Sequence, residues 1–388
     1  MTTLAIVLIA GAALLLVYTY VGYPLVLRWI APAPPAAPPI PEELPTVSIC
    51  LPAYNEEAQI RGVIESLLAL DYPAEKRQIV IVSDASTDRT DEIAASYASR
   101  GVELMRLPRR SGKTAAENAS AALLRGEIVV NTDASIRIRP DALRYLVAPF
   151  QDPTVGVTSG RDVSVAAVSD DANRGESGYV GYEMGIRALE TRMGGIVGAS
   201  GCLYAIRPHL HRKPIPDHLS RDFASALTAR EHGYRSVSVD EAVCLVPRTV
   251  SLRREYARKV RTMARGMETL YFKRHLMNPL RYGRFAWMLI SHKVCRWTVP
   301  WAAVGAAGGL AILAGEHAWA RVGLGAAIAL CAVAVAGWLW PDERHMPRLL
   351  ALPTFAVAGN VAALHSLLRA IRGSDNPAWE PTRREVVL

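Results

Sequence analysis

Two stretches of the sequence decide the fold: QIVIVSDASTD at residues 78–88 and EIVVNTDAS at residues 127–135. Each is an apolar run of strand length that ends in an aspartate, Asp84 in the first and Asp133 in the second. In an open α/β sheet, ligands bind beyond the carboxyl ends of the parallel strands. We therefore predict that the two carboxylates line one site, suited to a nucleotide diphosphate and its divalent metal ion.

Strands and helices alternate around these stretches, which predicts βαβ units and a mostly parallel, Rossmann-like α/β sheet. The predicted strands are residues 47–51, 78–83, 102–107 and 127–132, and the helices between them are 56–70, one ending at 99, and 113–124. Beyond residue 160 the pattern predicts helices at 179–192, 221–232 and 251–271, with a Gly-rich turn at 194–201. We assign the α/β domain to residues 46–250.

Four apolar segments lie outside this domain, at residues 4–27, 297–315, 322–340 and 349–368, in a chain that is 51% hydrophobic. A stretch of about 20 apolar residues crosses the hydrocarbon core of a bilayer. No basic residue precedes the first segment, which favours an uncleaved anchor over a signal peptide. The fourth contains Pro353, Asn360 and His365, so two alternatives stay open for it, a transmembrane span, tilted or kinked, and a re-entrant piece.

A proline-rich linker follows the anchor at residues 28–45. Such composition favours an extended, semi-rigid spacer that holds the domain off the bilayer. The five cysteines are scattered without a CxxC pair, which predicts neither a disulfide framework nor a zinc site.

Positive charge is concentrated between residues 207 and 296, which hold 19 Lys and Arg against 7 Asp and Glu. We assign residues 251–296 to basic amphipathic helices at the cytoplasmic membrane surface, in contact with lipid headgroups or phosphate-bearing ligands. No nucleic-acid-binding motif accompanies this charge, so nucleic acid is not an expected partner. The tail, residues 369–388, is also basic. By the positive-inside rule, this charge favours a cytoplasmic tail. Four full crossings by a chain whose N-terminus starts outside would instead place the tail outside. The topology of the last segment therefore stays open.

The chain contains a series of short motifs, in this order: Tyr18–Tyr23, Pro52–Glu57, Ser83–Asp88, Arg110–Asn118, Asp133–Ser135, Gly198–Tyr204, Asp222, the basic helix, Ser291–Lys293 with Arg296, Trp297 and Pro300, and Trp379–Arg384. Taken together, these features resemble the membrane-anchored family-2 glycosyltransferases of the GT-A fold, in the branch near poly-N-acetylglucosamine and cellulose synthase-like enzymes. The resemblance covers nearly the whole chain.

The resemblance implies a role for each matching residue. On the donor side, a loop with Ala53, Tyr54 and Glu56 holds the base and ribose, and Asp84 contacts the nucleoside. The basic loop beside the nucleotide contains Gly112, Lys113 and Asn118. Asp133 binds the metal and the diphosphate. On the acceptor side, Gly198, Ser200 and Gly201 form a turn, Asp222 is the catalytic base, and Arg261 or its substitute Arg265 supplies a cation. The implied cofactor is Mg²⁺ or Mn²⁺.

Each of these residues also has an ordinary structural interpretation. Asp84 and Asp88 lie in a Ser-Thr-Asp cluster that is typical of helix N-caps. Asp133 is also suited to a turn, Asp222 to the first turn of a helix, and the basic helix to a solvated or headgroup-facing surface.

Five positions depart from the family pattern. Ala85 stands where a glycine is usual, and Ser135 stands where a second metal-binding aspartate is usual. Arg221 replaces an acidic residue before the base, where it is able to depress the pKa of Asp222 or contact a phosphate. Processive relatives carry a Gln-x-x-Arg-Trp motif where this chain has residues 258–262. Arg261 is kept, but Arg258 stands in place of the glutamine and Thr262 in place of the tryptophan.

The leading hypothesis is therefore an inverting glycosyltransferase at the cytoplasmic face of a bacterial inner membrane. It transfers a sugar from a nucleotide-sugar donor, with UDP as the expected nucleotide, to a glycan or lipid-linked acceptor. The altered 258–262 motif favours a second hypothesis, the transfer of one sugar to polyprenyl phosphate. A third is a nucleotide-binding membrane scaffold without catalysis.

Overall fold

The computed structural model of the protein describes residues 1–165, 174–247, 251–341 and 346–372, with side chains at 174–177 excluded. The proposed motif at Trp379–Arg384 lies outside the described residues, as does most of the basic tail.

One eight-stranded sheet organises the α/β domain, in the order β3-β2-β1-β4-β7-β6-β8-β5. Strands β1, β2, β3 and β4 are mutually parallel, whereas β7 runs antiparallel to both β4 and β6. The strands are β1 Val47–Ala53, β2 Arg77–Ser83, β3 Val102–Arg106, β4 Ile128–Thr132, β5 Arg137–Ile138, β6 Val155–Val165, β7 Leu203–Ile206 and β8 Arg235–Pro247. The predicted mostly parallel sheet is confirmed.

Fifteen α-helices occur among the described residues. They are α1 Thr2–Val17, α2 Tyr23–Ile30, α3 Ile60–Leu68, α4 Thr90–Ala95, α5 Lys113–Ser120, α6 Ala142–Val147, α7 Arg174–Arg192, α8 Pro208–His211, α9 Arg221–Glu231, α10 Leu252–Phe272, α11 Pro279–Tyr282, α12 Arg284–Leu289, α13 Arg296–Leu313, α14 Ala318–Trp338 and α15 Arg348–Arg372. Two π-helical segments, Tyr18–Gly22 and Ile290–Cys295, continue α1 into α2 and α12 into α13. The first βα connection is longer than predicted, because the helix begins at Ile60 rather than at residue 56.

Both faces of the central strands are buried, as the unbroken apolar runs predict for parallel strands covered by helices. Successive residues of a strand point to opposite faces. Accordingly, Ile49 and Ile81 join one hydrophobic cluster, whereas Cys50 and Val80 join the cluster on the other face. The two clusters fix the register of β1 against its neighbours, and so the positions of the loops at their carboxyl ends.

Three described helical spans are long and apolar enough to cross a membrane: Thr2–Ile30, Ala318–Trp338 and Arg348–Arg372. Helix α13, where a further span is predicted, is not among them. It packs along α1, and a Cβ at Gly309 would lie 2.8 Å from the carbonyl oxygen of Ala5. Close approach through a small residue is typical of helix pairs in membranes. The crossing by residues 297–315 stays a prediction.

The proline-rich linker is hydrogen-bonded to the α/β domain at several points along its length. Its role as a semi-rigid spacer stays a prediction. The Arg192 guanidinium donates to the carbonyl of Pro32 at 2.6 Å, and the Gln151 amide donates to that of Pro39 at 2.8 Å. Near the domain, Lys76 donates to the Leu44 carbonyl at 2.7 Å. These bonds hold the linker along the domain surface.

Candidate active site

The loops that follow β1 and β2 are joined side by side at the carboxyl edge of the sheet. Asn55 accepts the Thr87 N–H through its side-chain oxygen at 2.8 Å, and the Glu56 N–H donates to Thr90 Oγ1 at 2.8 Å. Asn55 and Ala85 both adopt left-handed backbone angles, with φ of 52° and 57°. An alanine pays about 1–2 kcal/mol for that conformation, which explains why glycine suits position 85. The departure at Ala85 therefore costs stability and keeps the turn.

Asp84 holds the next loop by its backbone. Its two carboxylate oxygens accept the N–H groups of Ser111 at 2.7 Å and Gly112 at 2.8 Å. Gly112 has a φ of 96°, which glycine adopts without strain, and it leads directly into α5. The Asp84 side chain is buried. In the structure, Asp84 contacts this loop. Its contact with a nucleoside stays a prediction.

Asp88 is a helix-capping residue. Its carboxylate accepts the N–H of Thr90 at 3.0 Å and the Thr90 hydroxyl at 2.6 Å at the start of α4. This is the structural interpretation that the Ser-Thr-Asp cluster offers, and it applies to Asp88 rather than to Asp84.

An arginine and a tyrosine stack at the same edge. The guanidinium carbon of Arg110 lies 3.9 Å from the centre of the Tyr54 ring. Ala53 is fully buried at the end of β1, and Glu56 is nearly so. Tyr54 and Arg110 thus present a flat cationic and aromatic pair beside the Asp84 loop, the type of surface on which a nucleobase stacks.

Lys113 and Asp133 form the centre of the site. Lys113 Nζ lies 2.5 Å from Asp133 Oδ1 and donates to the Gly201 carbonyl at 3.1 Å. Burial alone would lower the pKa of Lys113, but the carboxylates of Asp133, Glu117 and Asp222 raise it above its usual range. The ammonium group is therefore charged and has carboxylates around it on several sides.

Asp222 faces the same centre from the first turn of α9. The Ser220 hydroxyl donates to Asp222 Oδ1 at 2.5 Å, and a Cβ at Gly201 would lie 2.7 Å from Asp222 Oδ2. An alanine at position 201 would require either this carboxylate or the turn to shift. The segment before α9 is fixed to α5 through the Thr114 hydroxyl, which donates to the Leu219 carbonyl at 2.8 Å. The fold thus brings Asp222 beside Lys113 and Asp133, although about ninety residues separate the two aspartates in the chain.

The acceptor-side turn packs against α9 and β6. A Cβ at Gly198 would lie 3.0 Å from the Phe223 ring, next to Asp222. The Ser200 hydroxyl lies 2.7 Å from both oxygens of Asp162 and donates to that carboxylate. Because Ser200 is buried, its hydroxyl supports the turn and does not line a surface.

Arg221 joins three helices behind the site. Its guanidinium is buried and donates to the His211 carbonyl and to Asn118 Oδ1, and its Nε lies 3.8 Å from Glu117 Oε2. These contacts are with protein groups of α5, α8 and α9. An influence of Arg221 on Asp222 or on a phosphate stays a prediction.

Glu117 lies beneath the site, one turn along α5 from Lys113. Both of its carboxylate oxygens are buried, and neither has a hydrogen-bond partner among the described residues. Burial raises the pKa of Glu117 to about 7, with Lys113 and Arg221 acting in the opposite direction.

The basic helix α10 packs beside α9 and α15. Within it, Arg258 bonds to Glu255 at 2.9 Å, and Arg261 is partly buried. Burial lowers the pKa of Arg265, and Asp222 is one of the charges that act on it. Arg265 is thus within electrostatic reach of the site.

No group of three or more His, Cys, Asp or Glu side chains among the described residues is arranged to hold a metal ion. Asp133 contributes one carboxylate, and Ser135 is buried beside it. One carboxylate fits a hard divalent ion only where substrate phosphates and water complete the coordination, as they commonly do for Mg²⁺. The residues present therefore fit a metal that arrives with a diphosphate.

Three residues at the site were missed by the sequence analysis. Asp162 and Phe223 carry no local pattern that marks them, and Glu117 reads as an ordinary helix residue. The one available signal is the placement of Glu117 four residues after Lys113, which puts both on one face of a helix.

Residues 48–207 match the family model described as Glycosyl transferase family 2. The matched segment runs from β1 to β7. It contains Asp84, Lys113, Asp133 and Gly201, whereas Asp222 lies beyond its end.

Two known proteins illustrate the likeness. Over 157 residues the chain is 32% identical to Beta-monoglucosyldiacylglycerol synthase of Nostoc sp., a match that covers 39% of this chain and 34% of that protein. The chain thus spans about a third of the length of that relative. The mannosyltransferase PcManGT from Pyrobaculum calidifontis, solved with GDP-Man and Mn²⁺, is 25% identical and superposes with a TM-score of 0.67 over 92% of this chain and 99% of that one. The GT-A fold is thereby confirmed.

Proposed function

We propose that the protein is an inverting glycosyltransferase that moves one sugar from a nucleotide-sugar donor to a lipid acceptor at a membrane surface. The observation that carries the proposal is the cluster of Asp133, Lys113 and Asp222 at the carboxyl edge of the sheet, with a cation between two carboxylates. The helices long enough to cross a membrane, and the glycolipid named in the Nostoc relative, support a lipid acceptor. That name gives no support to the polymer-synthase branch, which stays an expectation.

In the proposed reaction, Asp222 takes the proton from the acceptor hydroxyl as the oxygen attacks the anomeric carbon. The bond from that carbon to the donor's diphosphate breaks, and its electron pair leaves with the diphosphate. Attack opposite the leaving group inverts the configuration of the sugar. The Lys113 ammonium stabilises the negative charge that develops on the leaving oxygen. The proton remains on Asp222 until it passes to water.

Asp133 is the residue proposed to hold Mg²⁺ or Mn²⁺ together with the diphosphate. When bound, the metal supplies further stabilisation of negative charge on the leaving group. The Mn²⁺ in the complex of the Pyrobaculum relative supports this role. A metal that binds at Asp133 must share this carboxylate with Lys113, since Lys113 and Asp133 are in direct contact in the structure.

The donor nucleotide is proposed to bind at Tyr54, Arg110 and the loop held by Asp84. UDP is the nucleotide expected from the sequence, while the Pyrobaculum relative was solved with a guanosine nucleotide. Both belong in a test of donor choice.

The experiment is sugar transfer by the full chain in liposomes with Mn²⁺, using UDP- and GDP-sugars against diacylglycerol and polyprenyl phosphate. We expect a single addition to a lipid with inversion. Asp222→Asn should abolish transfer and keep nucleotide binding. Asp217→Asn is the matched control, because Asp217 lies in the segment just before α9, and its contact with the Asn118 amide at 2.9 Å can be kept by the new amide oxygen.

Transfer to neither lipid by folded protein that binds nucleotide would overturn the proposal and favour the scaffold hypothesis. Polymeric product would overturn the single addition. Preference for polyprenyl phosphate over diacylglycerol would support the alternative acceptor.

A further inference from the structure

A buried charged cluster joins the N-terminal helix, α7 and the segment that precedes α13. We call it the carboxylate array, and it consists of Tyr23, Glu183, Glu190, His292, Lys293 and Arg296. His292 Nδ1 lies 2.6 Å from Glu190 Oε1, and His292 Nε2 lies 2.9 Å from Glu183 Oε1. Glu190 is 0% exposed and His292 is 1% exposed.

The array brings two carboxylates together with three basic side chains. Both ring nitrogens of His292 lie within hydrogen-bond distance of a carboxylate oxygen. Arg296 donates to Glu183 at 2.6 Å, and Lys293 lies 3.4 Å from the same carboxylate. Burial would raise the pKa of Glu183, but the neighbouring His292, Lys293 and Arg296 hold it well below its usual value. Taking such charges out of water is costly, and hydrophobic residues often replace a buried ion pair without loss of stability. The array therefore calls for an explanation other than stability.

Glu190 connects the N-terminal helix to the acceptor-side turn. Its Oε1 accepts the Tyr23 hydroxyl at 2.7 Å, and its Oε2 accepts the N–H of Val197 at 3.3 Å. Its backbone carbonyl also accepts the N–H of Gly195 at 2.9 Å. One residue thus bonds the proposed membrane anchor on one side and the start of the turn on the other.

The same turn ends against the proposed base. From Val197 it continues through Gly198, which packs on Phe223, to Gly201, which faces the Asp222 carboxylate. Lys293 lies against this turn too, since a Cβ at Gly198 would be 3.8 Å from its Cε. An unbroken series of contacts therefore runs from Tyr23 through Glu190 to Asp222.

We propose that Glu190 and His292 are positioning residues that hold the acceptor-side turn against Asp222 by fixing it to the membrane-associated helices. The inference rests on the proposed transfer to a lipid acceptor. The carboxylate array then sets the geometry with which the acceptor attacks. The donor-side residues other than Lys113 keep their geometry when the array is altered.

The test compares Glu190→Gln, His292→Gln and Tyr23→Phe in the full chain reconstituted in liposomes. Glu231→Gln is the matched control, because Glu231 also pairs with a histidine and a lysine, His275 at 2.6 Å and Lys273, away from the turn. The readouts are kcat/KM for the lipid acceptor, the Kd of the nucleotide, and hydrolysis of the donor without acceptor. Thermal unfolding checks that each variant is folded.

We expect Glu190→Gln and His292→Gln to lower kcat/KM for the acceptor by about 10- to 100-fold, the scale of a misplaced reacting group. Nucleotide Kd and donor hydrolysis should stay within about twofold, and the control should leave all three unchanged. Tyr23→Phe combined with Glu190→Gln should be less than additive, because the two side chains share one bond.

Equal losses in acceptor transfer, nucleotide binding and donor hydrolysis would overturn the inference, as would an equal effect of the Glu231 control. If Glu190→Gln or His292→Gln fails to fold, the Tyr23→Phe variant replaces it in the test, since that change removes a single hydroxyl. Absence of any transfer by the unaltered protein would instead refute the proposed function.

Discussion

Gly201→Ala gives the sharpest test of the site geometry, because one methyl group is added directly in front of the proposed base. The new Cβ would lie 2.7 Å from Asp222 Oδ2, where ordinary contact begins at 3.4 Å. The carboxylate must therefore retreat by about 0.7 Å or the turn must move. The Ser220 hydroxyl, bonded to Asp222 Oδ1 at 2.5 Å, opposes rotation of the carboxylate.

A displacement of about 1 Å in a reacting group costs roughly 100-fold in rate. We therefore expect Gly201→Ala to lower kcat by about 10- to 100-fold. The Lys113 contact is with the backbone carbonyl of Gly201, which the substitution keeps. Nucleotide affinity should accordingly stay within about twofold.

The assay is lipid glycosylation at saturating donor, with nucleotide affinity measured by calorimetry. Gly185→Ala is the matched control, because a Cβ there meets nothing within 4 Å, and Gly185 lies inside helix α7. That change should leave the kinetics intact and raise the free energy of unfolding by about 1 kcal/mol. If Gly201→Ala kept the kcat of the unaltered protein while Asp222→Asn lost all activity, the argument from contact distance would be refuted.

Three further predictions concern stability and donor binding. The pKa of Glu117 is about 7 in the folded protein against an ordinary value of 4.5, so stability falls as pH rises from about 4.5 through about 7, by at most about 3 kcal/mol. Glu117→Gln should therefore stabilise the protein at pH 8 and not at pH 4, as seen in melting curves at both values. Asp84→Ala leaves two loop N–H groups without their acceptor and should weaken nucleotide binding at least about tenfold by calorimetry. Gly309→Val places a Cβ 2.8 Å from the Ala5 carbonyl and should lower the free energy of unfolding in detergent by about 1–3 kcal/mol.

The parts of the fold that were predictable are those with local causes. Unbroken apolar runs ending at Asp84 and Asp133 predict buried parallel strands with a site at their carboxyl edge, and the structure confirms the sheet. The exact helix starts were less predictable, because Asn55 turns with a left-handed backbone angle before α3 begins.

The contacts that complete the site depend on distant segments, which local patterns do not report. Arg221 precedes the proposed base, and its neighbours in sequence gave no sign that its guanidinium would be buried against Asn118, 103 residues away. His292 and Glu190 are separated by 102 residues and meet only because α7 passes behind the acceptor-side turn. Pairings of this kind follow from the packing of elements, which one sequence without relatives does not contain.

The bonds along the proline-rich linker have a mechanical consequence. An unattached polyproline strand over residues 31–45 would extend about 45 Å, at roughly 3 Å per residue, and would let the domain move relative to the bilayer. Arg192 and Gln151 remove that freedom by fastening Pro32 and Pro39 to the domain. If the domain is anchored as proposed, these bonds hold Asp222 at a set distance from the lipid surface. We then expect transfer only to acceptors whose hydroxyl reaches that height, so that the length of the lipid headgroup selects among acceptors.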